Sequence, residues 1–422
     1  MFFTMGMWLC FIRDLRMVRG ISTSEIGGSA VLTEGEKRSL ETFVGKPVDE
    51  IETPALIVDL DAMQRNMDKM MRFLSKNDKG LRPHAKTHKT PAIASMQMQR
   101  GAVGITCATI GEAEILADGG VFDILITNRV VSEGKILRAV ALTRKTDLKI
   151  AVDSEENLID ISDHAHKSGV EIGIVLEVDI GHRRAGVRTV EEALELARLA
   201  SRLPGVTYEG IMGYEGHCVF IESLEERKKV SSIAYDRLLE YKDELSNAGF
   251  SPKIVSSGGT GTYLLAGEQR GITDIQPGSY IFMDARYANV EGVEFEQSLT
   301  VLTSIVSHPE KDIYICDAGT KSMSQEFGLP LTLPSLNLEV TNMSEEFITL
   351  VSRPDPLREA EEYLGNLDEL YGSAGFKLGL GSKVHLIPSH CCTTCNLHDV
   401  LYATRNGVVT NVWRVAGRGR FA

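Results

Sequence analysis

From about residue 50 onward, short β-branched and apolar runs alternate with longer stretches in which apolar positions return every three or four residues. The first pattern has the period of a strand and the second that of a helix, so their alternation predicts βα units and a parallel sheet. The strand-like runs are residues 55–60, 81–86, 104–108, 123–127, 148–152, 173–179, 208–214 and 253–257. About eight such strands close a barrel. Between them, 61–76 and 191–203 have the pattern of amphipathic helices, and in the second Leu196, Leu199, Ala200 and Leu203 share one face. Asp61 is a candidate cap for the first helix, and Ser154 followed by Glu155 and Glu156 marks another helix start.

After Gln276 the helical pattern fades. Residues 298–307, 312–318, 347–352, 383–388 and 407–415 are strand-like, which predicts a second, mostly β domain of about 130 residues. The expected fold is α/β: a TIM (β/α)8 barrel over 50–284, then a mostly β C-terminal domain over 285–422, with 284–291 as the join. Residues 1–49 form a leader. Its opening segment 1–12 is apolar, but it is too short to span a bilayer and lacks the basic start and cleavage site of a signal peptide. Met5, Met7 and Met17 are alternative starting methionines, so the first twenty residues carry no weight in the fold argument.

The 422 residues are 43% hydrophobic and 24% charged, the balance of a globular chain rather than a disordered or collagenous one. Lys+Arg 45 against Asp+Glu 58 gives a formal charge of −13, a field that repels polyanions and argues against nucleic acid as a partner. The cysteines are Cys10, Cys107, Cys218, Cys316, Cys391, Cys392 and Cys395. Their odd number and crowding near the end predict reduced thiols and a cytoplasmic protein rather than a disulfide framework.

Four polar groups carry candidate chemistry. The first is Arg82-Pro83-His84-Ala85-Lys86-Thr87-His88-Lys89, at the end of the second predicted strand. A partly desolvated lysine at a barrel rim, beside other cations, can lose its proton and form a Schiff base with a carbonyl. The same octapeptide also fits a solvated basic loop. The second pairs Ser256-Ser257-Gly258-Gly259-Thr260-Gly261-Thr262 with Gln276-Pro277-Gly278-Ser279-Tyr280. Glycines let backbone N–H groups converge on an anion and hydroxyls add donors, so both segments suit a phosphate at the usual place in a barrel; each alone also fits a plain loop. Neither has the Gly-Lys-Ser/Thr of a nucleoside-triphosphate loop.

The third group sets Arg184, within Val178-Asp179-Ile180-Gly181-His182-Arg183-Arg184-Ala185-Gly186-Val187, beside Gly213-Tyr214-Glu215-Gly216-His217. Arg184, Tyr214 and His217 can reach into the barrel mouth, or Arg184 pairs with Asp179 while Tyr214 and His217 pack. The fourth is Pro388-Ser389-His390-Cys391-Cys392-Thr393-Thr394-Cys395-Asn396-Leu397-His398-Asp399. In an extended segment His390 and Cys392 project to one side and can grip a zinc ion. Cys392 and Cys395 also form a C-x-x-C pair; the lack of a second pair argues against a closed zinc site, and the β context against a redox motif. Unliganded thiols stay open.

In content and order these segments resemble the pyridoxal-phosphate enzymes of the alanine-racemase fold type, and within it the D-threonine aldolase and D-serine dehydratase group. The resemblance runs from Thr53 to Phe421: Thr53-Pro54-Ala55 into Val58-Asp59-Leu60, the Arg-Pro-His-x-Lys-x-His run, Asp179 to Gly186, both glycine turns and the late His-x-Cys. It implies that Lys86 carries pyridoxal 5'-phosphate as a Schiff base and that Thr260, Gly261, Gly278, Ser279 and Tyr280 hold its phosphate. It further implies that Tyr214 and Arg184 contact the ring and that His390 and Cys392 bind a divalent metal. In the dehydratases of the group that pair is His and Cys with zinc; in the aldolases it is typically His and Asp with a harder cation such as manganese or magnesium. Cys392 departs from the aldolase pattern, whereas 276–284 with Tyr287, Asn396 to Asp399 and 412–419 look closer to it.

The expected activity is that of a lyase of the D-threonine aldolase type, cleaving a small-molecule D-β-hydroxy-amino acid to glycine and an aldehyde, with His217 as the base. The alternative is a D-serine dehydratase, releasing a 2-oxo acid and ammonia, in which Lys86 takes the α-proton. A racemase would draw a tyrosine base from the β domain, for instance Tyr314. A non-catalytic pyridoxal-phosphate carrier would keep Lys86 and the glycine turns without needing His390 and Cys392. A homodimer without membrane attachment is expected from the family.

Overall fold

The computed structural model describes residues 42–353 and 378–421. Most of the leader, with Cys10 and the alternative starting methionines, lies outside the described residues.

The first strand, β1 (Ala55–Asp59), runs directly into helix α1 (Leu60–Lys76). The Asp59 carboxylate caps that helix by accepting from the Ala62 N–H at 2.9 Å, two residues before the expected Asp61. Met63, Met67, Met70 and Leu74, spaced three and four apart, form its buried face.

The barrel is built from β2 (Gly80–Leu81), β3 (Ile105–Cys107), β4 (Asp123–Ile126), β5 (Asp147–Val152), β6 (Ile172–Glu177), β7 (Val206–Met212), β8 (Ile254–Ser257) and β9 (Asp274–Ile275). Their order is β2-β9-β8-β7-β6-β5-β4-β3 and every pair is parallel. The sheet closes on itself: Ala85 N–H donates to the Thr106 carbonyl at 2.7 Å, Thr106 N–H to Pro83 at 2.9 Å and Val103 N–H to Leu81 at 2.8 Å. Side chains alternate as the strand period demands. Leu125, Ala151, Val175, Met212 and Ile254 form a separate cluster, while their neighbours Ile124, Ile150, Ile174, Ile211 and Val255 join the main core.

Helices α2 (Pro91–Gln99), α3 (Ile110–Asp118), α4 (Glu133–Leu142), α5 (Glu155–Lys167), α6 (Val190–Ala200), α7 (Leu224–Asn247) and α8 (Tyr263–Glu268) follow in turn. Ser154 caps α5 as expected, accepting from Asn157 N–H at 3.4 Å, and Thr189 with Glu192 forms a capping box on α6. No helix of the described residues is long and apolar enough to cross a membrane.

One expected barrel strand is elsewhere. The run at 55–60 does not open the barrel: β1 lies in a second, nine-stranded sheet, antiparallel to β10 (Leu299–Glu310) and parallel to β16 (Val400–Arg405). The eighth barrel place belongs to β9, whose two residues are too few to show a period. The rest of that sheet is β11 (Ile313–Cys316), β12 (Leu331–Thr332), β13 (Leu338–Met343), β14 (Ile348–Ser352), β15 (Lys383–Ile387) and β17 (Val408–Arg414). The five strands expected after Gln276 are present; β12, β13 and β16 were not anticipated, β12 because it is so short and β13 because exposed Glu339 and Asn342 dilute its apolar character.

After β15 comes the short helix α9 (Cys391–Cys395), which the second sheet presents to the barrel. It is tied down there, since the buried Asp284 carboxylate accepts from Cys391 N–H at 3.0 Å and Ala285 N–H donates to Pro388 at 3.0 Å.

Gly210 sits at φ +151 just after an irregularity in the β6–β7 register, and a Cβ there would meet the Ile254 carbonyl oxygen at 2.0 Å. A side chain must therefore push β7 and β8 apart. Gly210→Ala is expected to lower the free energy of unfolding by about 2 kcal/mol or more, measured by chemical denaturation.

Candidate active site

A cavity of about 630 Å³ opens at the C-terminal ends of the barrel strands, where such barrels keep their chemistry. Lys86, Arg184, Tyr214, Thr260, Gly278, Ser279, His390 and Cys392 all line it. Elements far apart in sequence thus deliver the lysine, the glycine turns and the His-x-Cys pair to one space.

Lys86 stands on the loop after β2. The turn is fixed by Lys89 N–H donating to Ala85 at 2.7 Å, by His88 Nδ1 accepting from Thr90 N–H at 3.0 Å and by a 3.4 Å contact from Lys86 N–H to His84 Nδ1. The Lys86 side chain is accessible, yet the protein surrounds the cavity it enters. Desolvation there pulls its pKa down; the neighbouring Cys392 opposes this and Arg184 adds to it. A lysine shifted this way spends more of its time as a free amine. His84 is held neutral by burial and by the charge of Lys86. Lys89 is committed to a buried ion pair with Glu112.

The turn after β8 is organised by Glu215, fully buried, whose carboxylate accepts from Ser257 Oγ at 2.8 Å, Gly258 N–H at 3.2 Å, Tyr235 Oη at 3.1 Å and the Thr262 hydroxyl. Gly261 is fixed by a close approach: a Cβ on it would lie 1.9 Å from the Val219 carbonyl oxygen. Tyr280 N–H donates to Thr260 Oγ1 at 3.1 Å. The N–H groups of Thr260, Gly261, Gly278 and Ser279 find no acceptor among the described residues, although Thr260 and Ser279 are buried. Unpaired buried donors are costly, and a phosphate would satisfy them. Pyridoxal phosphate fits the residues present: an amine for its aldehyde, these donors for its phosphate, and Tyr214 with Arg184 beside its ring.

Arg184 does not pair with Asp179. Its guanidinium carbon lies 5.4 Å from the centre of the Tyr214 ring, and its Nη2 is 3.7 Å from Glu177. Asp179 instead pairs with Arg188 and accepts from Arg183 N–H at 2.8 Å and Gly181 N–H at 3.1 Å. Two expected residues keep their side chains away from the cavity. Tyr280 is buried with its hydroxyl accepting from Gln97 Nε2 at 3.0 Å. His217 is exposed and lines a separate cavity between α6 and α7. It stacks at 6.1 Å on His182, which in turn meets Tyr214 edge-on at 5.6 Å, so it lies one ring removed from the site.

His390 and Cys392 share the cavity, but not as members of an extended segment. His390 is the extended residue capping α9, and Cys392 is the second residue inside it. His390 Nδ1 is 2.7 Å from Glu326 Oε2, and Cys392 Sγ is 3.2 Å from Thr87 Oγ1 and 3.5 Å from Ser279 Oγ. The Cys391 thiol and, against burial, His390 hold the Cys392 thiol well below its ordinary pKa. Cys392 and Glu326, also against burial, raise His390 to about 9. Among the described residues no group of three or more His, Cys, Asp or Glu is placed to hold a metal. The nitrogen and sulfur pair nevertheless suits zinc with open positions, and a carboxylate on the far nitrogen is the usual support of a ligating histidine. The described cysteines are unpaired, and Cys391 and Cys395 are buried.

Sequence reasoning passed over Glu215, Glu326, Thr87 and the rings of Phe220 and Phe327, and noted Tyr287 only as part of the resemblance. Thr87 and Glu215 lay inside segments already singled out; nothing in sequence marked Glu326 as a neighbour of His390.

The lysine loop rests on His88, which burial pulls from 6.5 to about 4. Its folded pKa lies below the unfolded one, so its contribution is whole above about pH 6.5 and is lost as pH falls toward 4, by about 3 kcal/mol. The thermal midpoint of the protein is expected to drop across that window, and His88→Gln to show a shallower drop.

Comparison with known proteins gives five findings. The model of the alanine racemase N-terminal domain matches residues 58–286, and that of the putative serine dehydratase domain residues 298–404. A 3-hydroxy-D-aspartate aldolase of Paracoccus denitrificans (strain Pd 1222) is 34% identical over 386 residues, 89% of this chain and 94% of that one. The crystal structure of D-threonine aldolase from Filomicrobium marinum superposes with a TM-score of 0.83 at 31% identity, covering 90% of this chain and 99% of that one. A D-threo-3-hydroxyaspartate dehydratase with a cysteine replaced by alanine, in the metal-free form, gives 0.75 at 26% identity, covering 87% and 98%. Another structure of such a dehydratase has alanine for a histidine two positions before that cysteine (0.76, 25%, covering 90% and 99%), the spacing of His390 and Cys392 here.

Proposed function

The chain belongs to the family of alanine-racemase-fold enzymes that carry a serine-dehydratase-type second domain, and from that premise we propose a pyridoxal 5'-phosphate- and divalent-metal-dependent lyase of D-β-hydroxy-amino acids, of the D-threonine aldolase type. The observation that carries this reading is the convergence of Lys86, the unpaired N–H groups of the two glycine turns and the pair His390 and Cys392 on one cavity.

When bound, the cofactor supplies an aldehyde for an amine and an electron-withdrawing ring, and the cation a Lewis acid for the substrate's β-oxygen. The chain does the rest. Lys86 Nζ, whose pKa desolvation lowers, is the amine that would hold the cofactor, and once released from it would accept and return a proton. Thr260, Gly261, Gly278 and Ser279 would anchor the phosphate through N–H donors and hydroxyls, while Tyr214 and Arg184 would orient the ring. Tyr280 contributes through its backbone, whose N–H fixes the Thr260 hydroxyl. His390 and Cys392 would hold the cation, with Glu326 steadying the imidazole. His217 is too remote to act on substrate directly, and Lys86 is the better acceptor for the proton.

Cys392 favours the dehydratase as a second reading. A His-x-Cys pair has the spacing of the two positions altered in the solved dehydratases, and one of those structures is in the metal-free form. A carrier built on the barrel alone would not share the second domain. The reading includes a homodimer in the cytoplasm; the six cysteines among the described residues are unpaired, which supports a reducing compartment.

Purified protein is expected to show visible absorption from the bound cofactor. Lys86→Ala removes that band and lowers turnover by about a thousandfold or more. Incubation with D-threonine should give glycine and acetaldehyde; 2-oxobutyrate and ammonia would indicate the dehydratase instead, and L-allo-threonine alone a racemase. Exhaustive chelation is expected to abolish turnover while leaving the band, and His390→Ala to lower the metal retained after gel filtration.

A further inference from the structure

We propose that Phe220, Tyr287 and Phe327 form the receptor for the substrate's β-substituent, and that the native substrate carries an apolar or aryl group there rather than a second carboxylate. The proposal rests on the lyase reading and narrows its substrate class.

The three rings make a continuous wall that ends on His390. Phe327 lies 4.8 Å from the His390 ring, Phe220 lies 5.0 Å from Phe327, and Tyr287 lies 4.9 Å from Phe220. All three line the same cavity as Lys86. If the β-oxygen is handled at His390 and Cys392, the other substituent of that carbon lies a bond away, within reach of the wall formed by Phe327 and, behind it, Phe220. Wall and substituent are thereby matched in polarity.

A carboxylate in that place would need a cation, and those around the cavity are already committed. Lys86 is taken up by the cofactor. Lys89 is buried against Glu112. Arg184 lies over Tyr214 and near Glu177. Outside the lining, Arg286 lies 5.2 Å from the Phe220 ring but is within 3.5 Å of Glu222 and donates to the Phe220 carbonyl at 3.4 Å. Burying a carboxylate against three aromatic rings without a partner is costly, because none of them replaces the water it loses. An alkyl or aryl group instead gains by leaving water.

D-Phenylalanine and D-aspartate differ in just this substituent, and both lack the β-hydroxyl needed for cleavage. Titrated into the holoenzyme and followed by the change in the cofactor's absorption band, D-phenylalanine is expected to bind about tenfold or more tightly than D-aspartate. Phe327→Ala should erase most of that difference, Phe327→Leu should retain part of it, and circular dichroism checks that both variants are folded. In turnover, D-β-phenylserine should exceed 3-hydroxy-D-aspartate in kcat/KM. Tighter binding of D-aspartate, or preferential cleavage of 3-hydroxy-D-aspartate, would overturn the aromatic-wall assignment while leaving the lyase reading intact. If neither hydroxy acid is consumed although D-phenylalanine binds, the lyase reading is what fails.

Discussion

The mouth of the barrel is held by one buried carboxylate. Glu215 is shut off from water, and an anion there is tolerable only if its oxygens are filled with donors. The donors come from α7 (Tyr235), from the end of β8 (Ser257) and from the turn beyond it (Gly258 and Thr262). Each bond that stabilises the anion also fixes a piece of the site. The turn is drawn into the loop whose N–H groups remain unpaired, and Tyr214, the preceding residue, is placed on the cavity wall. Removing this carboxylate would leave four donors seeking partners in an apolar setting, a larger disturbance than losing any single cavity residue.

Around that frame the charges are graded. Lys86 reaches a place where desolvation disfavours its proton, while Lys89, three residues on, pairs with Glu112. The first lysine can react and the second only supports. The thiol of Cys392 lies against Thr87 and Ser279, which belong to the lysine loop and the second glycine turn. The sulfur is therefore the point where the lysine loop, the second glycine turn and α9 touch. A displacement of α9 would be felt in the other two.

Much of this was legible in the sequence because it is local. A lysine between histidines, two glycine-rich turns and a His-x-Cys pair each carry their chemistry within a few residues, and the strand and helix periods locate them along the chain. Partnership over distance was not legible. The run at 55–60 has the period of a strand, but a period does not say which sheet a strand joins, and β1 joined the other one. His217 and Tyr280 sit in the right segments with side chains turned elsewhere, His217 toward α6 and α7 and Tyr280 toward Gln97. Glu326 meets His390 only because a loop of the second sheet folds beside α9. Burial hid Glu215, since a carboxylate between Tyr214 and Gly216 looks the same in sequence whether exposed or enclosed.

The unexpected place of β1 explains how two sheets produce one site. β1 lies between β10 and β16, strands drawn from the far end of the chain, and its last residue caps the helix that packs on the barrel. The second sheet is thus completed by the segment that launches the barrel, so neither can take up its final position without the other. That strand, continuous with α1, and the Asp284 bond to α9 together set where His390 and Cys392 stand relative to Lys86. Chemistry shared between Lys86 on one body and His390 and Cys392 on the other would need their separation held to a fraction of an ångström. A strand of one body that runs without a break into a helix packed on the other meets that need better than a surface contact would, because sliding it by one residue would exchange Leu56 and Val58, packed in the main core, with Ala55 and Ile57, packed in a second cluster.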